Sequence, residues 1–127
     1  MSQYKEIDYI GTLEGKILNI AFWGEWQGEE AIYFVTNEGE QYFITHIQDC
    51  CECVNLSLNE GNLEDLKGKV LSAYESDFES GETLYDMEYS QKFYRISTES
   101  GDVVICSYGT SNGYYSMNTE FYKLKGN

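Results

Sequence analysis

The sequence has no proline and few basic residues, and these shortages exclude several classes of protein. Eight Lys and Arg stand against 22 Asp and Glu in 127 residues, which gives a formal net charge of −14. A surface of that sign repels nucleic acid and anionic membranes, so we expect neither to bind directly. The missing proline does not exclude turns, because the twelve glycines and several Asn supply them.

Long apolar segments and cofactor motifs are also missing. No apolar run approaches the roughly 18 residues of a membrane span, and residues 1–6 lack the apolar region of a signal peptide. Neither a phosphate-binding loop nor a dinucleotide-binding glycine motif is present, and no catalytic motif stands out. We therefore expect one cytoplasmic domain over residues 1–127, non-enzymatic and without a cofactor.

What the chain does contain is typical of β-strands. Val, Ile, Tyr, Phe and Thr cluster in short runs that Gly, Asn and acidic residues interrupt, which predicts a mainly β fold. Residues 38–40 and 99–101 each separate two such runs, and each predicts a hairpin turn with glycine. The predicted strands are residues 31–37, 41–47, 54–58, 93–98, 102–108 and 114–124.

The two predicted hairpins resemble each other, and the similarity extends beyond them. Residues 15–18 (Gly-Lys-Ile-Leu) precede the first hairpin as residues 68–71 (Gly-Lys-Val-Leu) precede the second. This pattern predicts a pseudo-duplicated unit, about residues 15–60 and 68–124. We expect the antiparallel strands of the two units to pack as a sandwich or as one strongly bent sheet.

Two segments between the predicted strands are less regular. Residues 62–67 predict a short helical turn, with Asn62 as the N-cap and Gly68 as the terminator. Residues 75–91 hold six acids and no base. The pattern there does not distinguish between a mobile loop, a hairpin and a short helix.

Several short motifs together resemble a known family. The chain is similar to small β-rich domains of unknown function from bacteriophages and bacteria, over roughly residues 15–122. The resemblance implies a phage or mobile-element origin and brings no catalytic residues with it. The motifs that carry it are Asp49-Cys50-Cys51, Leu63-x-x-Leu66-x-Gly68-x-Val70, Phe93-Tyr94-x-Ile96-x-Thr98-x-x-Gly101 and Ser111-Asn112-Gly113-Tyr114-Tyr115.

The negative charge is concentrated in residues 17–91, which hold sixteen acids against Lys67 and Lys69. A carboxylate array of this kind can occupy a basic surface in place of phosphates. The leading hypothesis is a phage-encoded binding module that inhibits a basic host protein, either a nucleic-acid-binding or a defence protein. The sequence also allows the chain to form a homo-oligomer. The expected partner-binding residues are Glu25, Glu29, Glu30, Asp77, Glu79, Glu82, Asp86 and Glu88.

A second hypothesis is a small-ligand binder for a nucleotide signal. In the duplicated plan the loops at 49–52 and 111–115 are equivalent, so they could form a shared recess. An anionic ligand would need bases beside that recess, and Arg95, Lys123 and Lys125 lie in the part of the chain that is not acidic. The candidate ligand-binding residues are Asp49, Cys50, Cys51, Asn112, Gly113, Tyr114 and Tyr115.

A third hypothesis is a zinc-dependent enzyme. Cys50, Cys51 and Cys53 cluster, and Cys106 could complete a tetrahedral site with His46 in reserve. A second closely spaced cysteine pair is missing, so we favour no metal site, reduced thiols and a buried Cys106. The single histidine has no nucleophile at recognisable spacing, which favours a structural role.

Overall fold

The computed structural model describes residues 3–48, 51–82, 87–112 and 117–126. The described part is mainly β, as the composition predicts. Two short 3-10 turns, Ile10–Leu13 and Leu63–Asp65, accompany the strands, and none of the described helical segments is long and apolar enough to cross a membrane. The strands are β1 (Gln3–Asp8), β2 (Ile17–Trp26), β3 (Glu29–Thr36), β4 (Gln41–Thr45), β5 (Cys53–Glu60), β6 (Gly68–Glu82), β7 (Glu88–Thr98), β8 (Asp102–Ser111) and β9 (Glu120–Gly126).

The nine strands of the described residues form one antiparallel sheet in the order β1-β9-β4-β3-β2-β6-β7-β8-β5. The seam between its two halves is short, because β2 and β6 pair only through Ile17–Lys69 and Leu18–Gly68. The halves bend at this seam and share one core, in which Phe34 and Phe121 of one half join Tyr94 and Ile105 of the other. The predicted strongly bent sheet is confirmed.

Alternation of side chains explains how the strands face this core. Along β3, Ile32, Phe34 and Thr36 are buried; along β7, Tyr94 and Ile96 are. The first strand of each hairpin ends on a buried threonine, Thr36 in β3 and Thr98 in β7. The hydroxyl oxygen of each threonine accepts hydrogen bonds from backbone N–H groups of the turn that follows. The predicted hairpins are therefore confirmed, although β4 ends at Thr45 and not at residue 47.

The acidic segment that the sequence left undecided is a hairpin. β6 and β7 pair from Val70–Thr98 out to Glu82–Glu88. β6 has 15 residues and β7 has 11, whereas β2 and β3 have 10 and 8. The acidic segment therefore makes β6 and β7 longer than their counterparts β2 and β3.

The predicted helical turn is present as the 3-10 turn Leu63–Asp65. Asn62 occupies the N-cap position as predicted, although it makes no side-chain cap hydrogen bond. The predicted terminator is wrong, because the C-cap is Leu66 and Gly68 is already the first residue of β6. The last predicted strand also starts later than expected, since β9 begins at Glu120.

The strand order relates the two parts of the chain in a way that the sequence did not reveal. Each three-stranded meander, β2-β3-β4 or β6-β7-β8, follows a 3-10 turn and a glycine at φ +86°, Gly15 or Gly68. β1 and β5 precede these turns, and β5 returns to pair with β8 while β9 lies between β1 and β4. The duplication stays a prediction. If it holds, β1 and β5 are equivalent strands, because each precedes one of the two 3-10 turns.

Candidate functional site at the crossover end

Two segments cross between the halves of the sheet at one end of the molecule. Residues 46–52 leave β4 after Thr45, which pairs with Glu120 of β9, and enter β5 at Cys53. Residues 112–119 leave β8 and enter β9 in the opposite sense. We call the region around the described parts of these two segments the crossover end.

Buried contacts of the His46 ring join the two crossing segments. His46 Nδ1 lies 2.7 Å from the Asn118 carbonyl oxygen, and His46 Nε2 lies 2.8 Å from Glu52 Oε2. His46 is 7% exposed and Glu52 is 2% exposed. Since both ring nitrogens face oxygen acceptors, each contact needs a proton, and no ring nitrogen is left for a substrate or a metal. The geometry supports the structural role expected for His46.

A second buried polar group lies beside the first. The Tyr94 hydroxyl contacts Thr119 Oγ1 at 2.7 Å, and the Lys92 ammonium donates to the Thr119 carbonyl at 3.0 Å. Burial raises the pKa of Tyr94 well above its usual range, so this phenol stays protonated. Lys92 also lies 3.6 Å from Glu75 of β6. These contacts tie residue 119 to the second half of the sheet.

A small cavity opens at the crossover end, and its walls are acidic. Its volume is about 170 Å³, and Glu29, Glu30, His46 and Asn55 supply the polar lining. One oxygen of Glu30, Oε1, accepts a hydrogen bond from the Leu56 backbone N–H at 3.0 Å. Glu30 therefore satisfies an amide of the edge strand β5, which is a structural task that the sequence did not suggest.

The expected partner-binding acids flank this end from both sides. Glu25 faces Glu30 across the β2–β3 pair, close to the β3 residue Ala31 that pairs with Thr45. Glu88 pairs with Ser111, the last residue of β8 before the second crossing segment. The backbone of the acids at 77, 79 and 82 belongs to β6, and Asp86 lies outside the described residues.

Sequence reasoning missed a second group of acids, at the opposite turn of the chain. Asp65 accepts a hydrogen bond through its backbone carbonyl from Thr98 Oγ1, which brings the 3-10 turn against the β7–β8 turn. Exposed acids from both elements therefore lie in one region. They are Glu64, Asp65, Glu99 and Asp102.

Only part of the proposed ligand-binding set can be placed. Asp49, Cys50, Gly113, Tyr114 and Tyr115 lie outside the described residues, and Asn112 is exposed at the end of β8. The contact between His46 and Asn118 joins the two crossing segments but lies outside residues 49–52 and 111–115, so the shared recess stays a prediction. The candidate bases are engaged elsewhere: Lys123 contacts Glu40, Lys125 contacts Glu6, and Arg95 donates to Ser76.

The described cysteines do not come together as the zinc hypothesis required, and Cys50 lies outside the described residues. Cys51 belongs to a disulfide, so the expectation of reduced thiols is wrong at this position, while Cys53 and Cys106 are free. Cys53 pairs with Thr110, four positions along β8 from Cys106. Four residues of a strand span about 13 Å, far more than one zinc ion with bonds of about 2.3 Å can bridge.

The comparison with known proteins agrees with the resemblance to a family of unknown function. No curated protein and no solved structure matches the chain significantly. A family model described as "Domain of unknown function (DUF7448)" matches residues 4–121, almost the whole bent sheet, and the chain belongs to that family.

Proposed function

We propose that this protein is a non-enzymatic acidic binding module that docks on a basic surface of a partner protein. We propose further that the protein is phage-encoded, acts in the host cytoplasm and blocks a nucleic-acid-binding or defence protein. The supporting observation is that Glu25 and Glu88, which flank the crossover end, are exposed and have no Lys, Arg or His nitrogen within 4.0 Å in the described part of the chain, so their charge is available to a partner.

In the described part of the chain, no base forms an ion pair with Glu25 or Glu88. Several lysines already contact carboxylates elsewhere, in the pairs Lys16–Glu40, Lys123–Glu40, Lys125–Glu6 and Lys92–Glu75. Within the described ranges, ten exposed carboxylates have no Lys, Arg or His nitrogen within 4.0 Å. They are Glu14, Glu25, Glu30, Glu38, Glu60, Glu64, Asp65, Glu88, Glu99 and Asp102.

The β2–β3 pair places two acids opposite each other. Glu25 and Glu30 are direct cross-strand partners. Like charges at opposite positions destabilise a sheet by roughly 0.2–1 kcal/mol. The Glu30 carboxylate has a structural role, because it accepts the Leu56 N–H, but the exposed Glu25 carboxylate makes no ion pair in the described part of the chain. Stability therefore gives no reason for a carboxylate at Glu25, which supports its use by a partner.

The proposal is tested with two triple variants that remove equal charge. Glu25→Gln, Glu29→Gln and Glu88→Gln neutralise the crossover end, whereas a matched set neutralises Glu60, Glu64 and Glu99. The probe is a panel of purified basic DNA-binding proteins and nucleases, measured by biolayer interferometry with duplex DNA as competitor. We expect the crossover variant to weaken binding at least tenfold, about 1.4 kcal/mol, and the matched variant to change it less than threefold.

Salt separates the electrostatic explanation from others. Affinity should fall steadily between about 50 and 500 mM NaCl, and duplex DNA should displace the module. Affinity that ignores salt, or an equal loss in both triple variants, would show that docking by the crossover-end acids is wrong.

The nucleotide-binding and zinc-enzyme hypotheses stay alternatives without a supporting observation. The cavity at the crossover end has Glu29 and Glu30 in its wall, a setting that disfavours an anionic ligand. A thermal shift with any cyclic or ADP-ribose-type nucleotide would support the first alternative. Stoichiometric zinc in the purified protein would support the second.

A further inference from the structure

Strand β6 has a long edge without a neighbouring strand. It runs over 15 residues, but it pairs with β2 only at Gly68 and Lys69 and otherwise with β7 alone. Residues 14–16 hydrogen-bond this side of β6 at Val70 and Ala73, and after Ala73 no described strand pairs with it. An open edge of this kind is a template for another strand, and proteins commonly protect it with charge.

The backbone direction at this edge can be read from one hydrogen bond. The Ala73 N–H donates to Glu14 Oε2 at 2.9 Å, so it points away from β7. In an antiparallel ladder, alternate residues direct their N–H and C=O groups to the same side. The N–H and C=O of Glu75 therefore also face the open side, and Glu14 marks where free pairing positions begin.

An aromatic cleft lies along this edge. Its volume is about 410 Å³, and it lies between the first 3-10 turn and β6. Tyr9 is 71% exposed and Tyr74 is 49% exposed, and both line the cleft. The Tyr9 ring lies against Gly11, where a Cβ atom would be only 2.7 Å from the ring, so glycine is needed for this ring position.

Charge around the cleft selects its occupant. Glu14 and Glu75 line it, and Glu75, which is exposed, also lies 3.6 Å from Lys92. The sequence of β6 continues with acids at 77, 79 and 82. A second copy of the chain would bring its own acids against these, which disfavours self-pairing through β6. Arg and Lys side chains would instead meet both the carboxylates and the faces of the tyrosine rings.

We propose that this edge cleft, formed by residues 9–14 and 73–76, binds an extended basic segment of a partner protein as an added strand on β6. The inference rests on the proposed docking function and names the partner chemistry: alternating Arg or Lys in an extended chain. Backbone hydrogen bonds beginning at Glu75 fix the register, while Tyr9 and Tyr74 contact the basic side chains on either side.

The test uses three synthetic decapeptides as probes. The first alternates Arg and Thr with blocked ends, the second carries N-methyl groups on the backbone of every second residue, and the third has Glu in place of Arg. We expect the first to bind with salt-dependent affinity, the second at least tenfold more weakly, and the third not at all. N-methylation removes donors on one side of the strand without changing its charge.

Site-specific readouts locate the binding. The first peptide should slow hydrogen exchange at the Glu75 amide, and Tyr74→Ala should weaken binding about three- to tenfold. Tyr108→Ala is the matched control, because Tyr108 is a similarly exposed tyrosine, at 39%, on β8. Both substitutions are at exposed side chains, so both variants should fold like the natural protein.

The outcomes distinguish this inference from the proposed function. Equal affinity for the N-methylated peptide, or protection at the β2–β3 turn in place of Glu75, would overturn the edge cleft and leave acidic docking standing. Failure of every basic peptide to bind would also overturn the edge cleft, while the basic-protein panel still tests docking separately. Dimerisation with protection at Glu75 would show that a second copy occupies the edge.

Discussion

Replacing Glu40 by Gln should destabilise the fold in a pH-dependent manner. Its two carboxylate oxygens contact Lys16 Nζ at 2.9 Å and Lys123 Nζ at 3.1 Å. Glu40 lies in the β3–β4 turn, Lys16 directly before β2, and Lys123 on β9. One carboxylate thus links three elements of the first half of the sheet, far from the crossover end.

The size of the effect follows from the carboxylate's pKa. Hydrogen bonds from Lys16 and then Lys123 lower the pKa of Glu40 from an ordinary 4.5 to about 2. The full shift would correspond to about 3 kcal/mol. The side chains of Lys16, Glu40 and Lys123 are 30%, 24% and 27% exposed, so solvent screening reduces our expectation to about 1–2 kcal/mol.

The sign is set by the lowered folded-state pKa. The unfolded chain takes up a proton near pH 4.5 and the folded chain only near pH 2, so the stabilisation is complete above about pH 5. It disappears as the pH falls through this window toward 2. The stability difference between natural protein and Glu40→Gln should therefore be largest near neutral pH and shrink steadily in acid.

Urea unfolding, followed by tryptophan fluorescence at half-unit steps from pH 7 to pH 2.5, measures this difference. Glu38→Gln is the control, because Glu38 is exposed in the same turn, has no ion pair there, and loses the same charge. It should change stability by less than about 0.5 kcal/mol. A Glu40→Gln loss that equals the control, or that is the same at pH 7 and pH 3, would refute the reasoning.

Three further substitutions test the internal contacts by the same unfolding measurement. Gly61 has φ +80°, and the Cβ that Gly61→Ala adds would clash with the Asp102 carbonyl. Gly28 has φ +85° but open space around it, so Gly61→Ala should lower the free energy of unfolding by at least about 2 kcal/mol more than Gly28→Ala. Equal losses in the two variants would contradict this. Tyr94→Phe removes the hydroxyl partner of Thr119 and should cost about 1–2 kcal/mol. His46→Leu leaves the Glu52 carboxylate buried without its imidazole and should cost about 3–5 kcal/mol, whereas a loss below about 1 kcal/mol would show that the pair contributes little.

Much of the fold could be predicted because strands and tight turns are local features. Alternating apolar residues around 38–40 and 99–101 indicated both hairpins, and the 3-10 turn after Asn62 was indicated by its flanking residues. Strand β1 and the turn Ile10–Leu13 were missed, because their short apolar runs gave no clear period. The order of strands in the sheet is set by long-range pairing, which no local pattern encodes.

The candidate site was harder to predict for the same reason. Glu14 binds an amide 59 residues away and Glu30 one 26 residues away. The His46–Glu52 pair spans only six residues, yet it forms because the chain turns sharply between β4 and β5. A signal was available in hindsight: one histidine followed closely by an acid, between two strands of opposite halves.

Acidic residues therefore serve different purposes in this protein, and the net charge alone does not measure a docking surface. Glu14 and Glu30 satisfy edge-strand amides, Glu40 joins two lysines, and Glu52 is buried against His46. Neutralising these would change folding and docking together, so a general loss of acids cannot test the function. Glu25 is exposed and makes no ion pair in the described structure, which makes it the cleanest single position at which docking can fail while the fold persists.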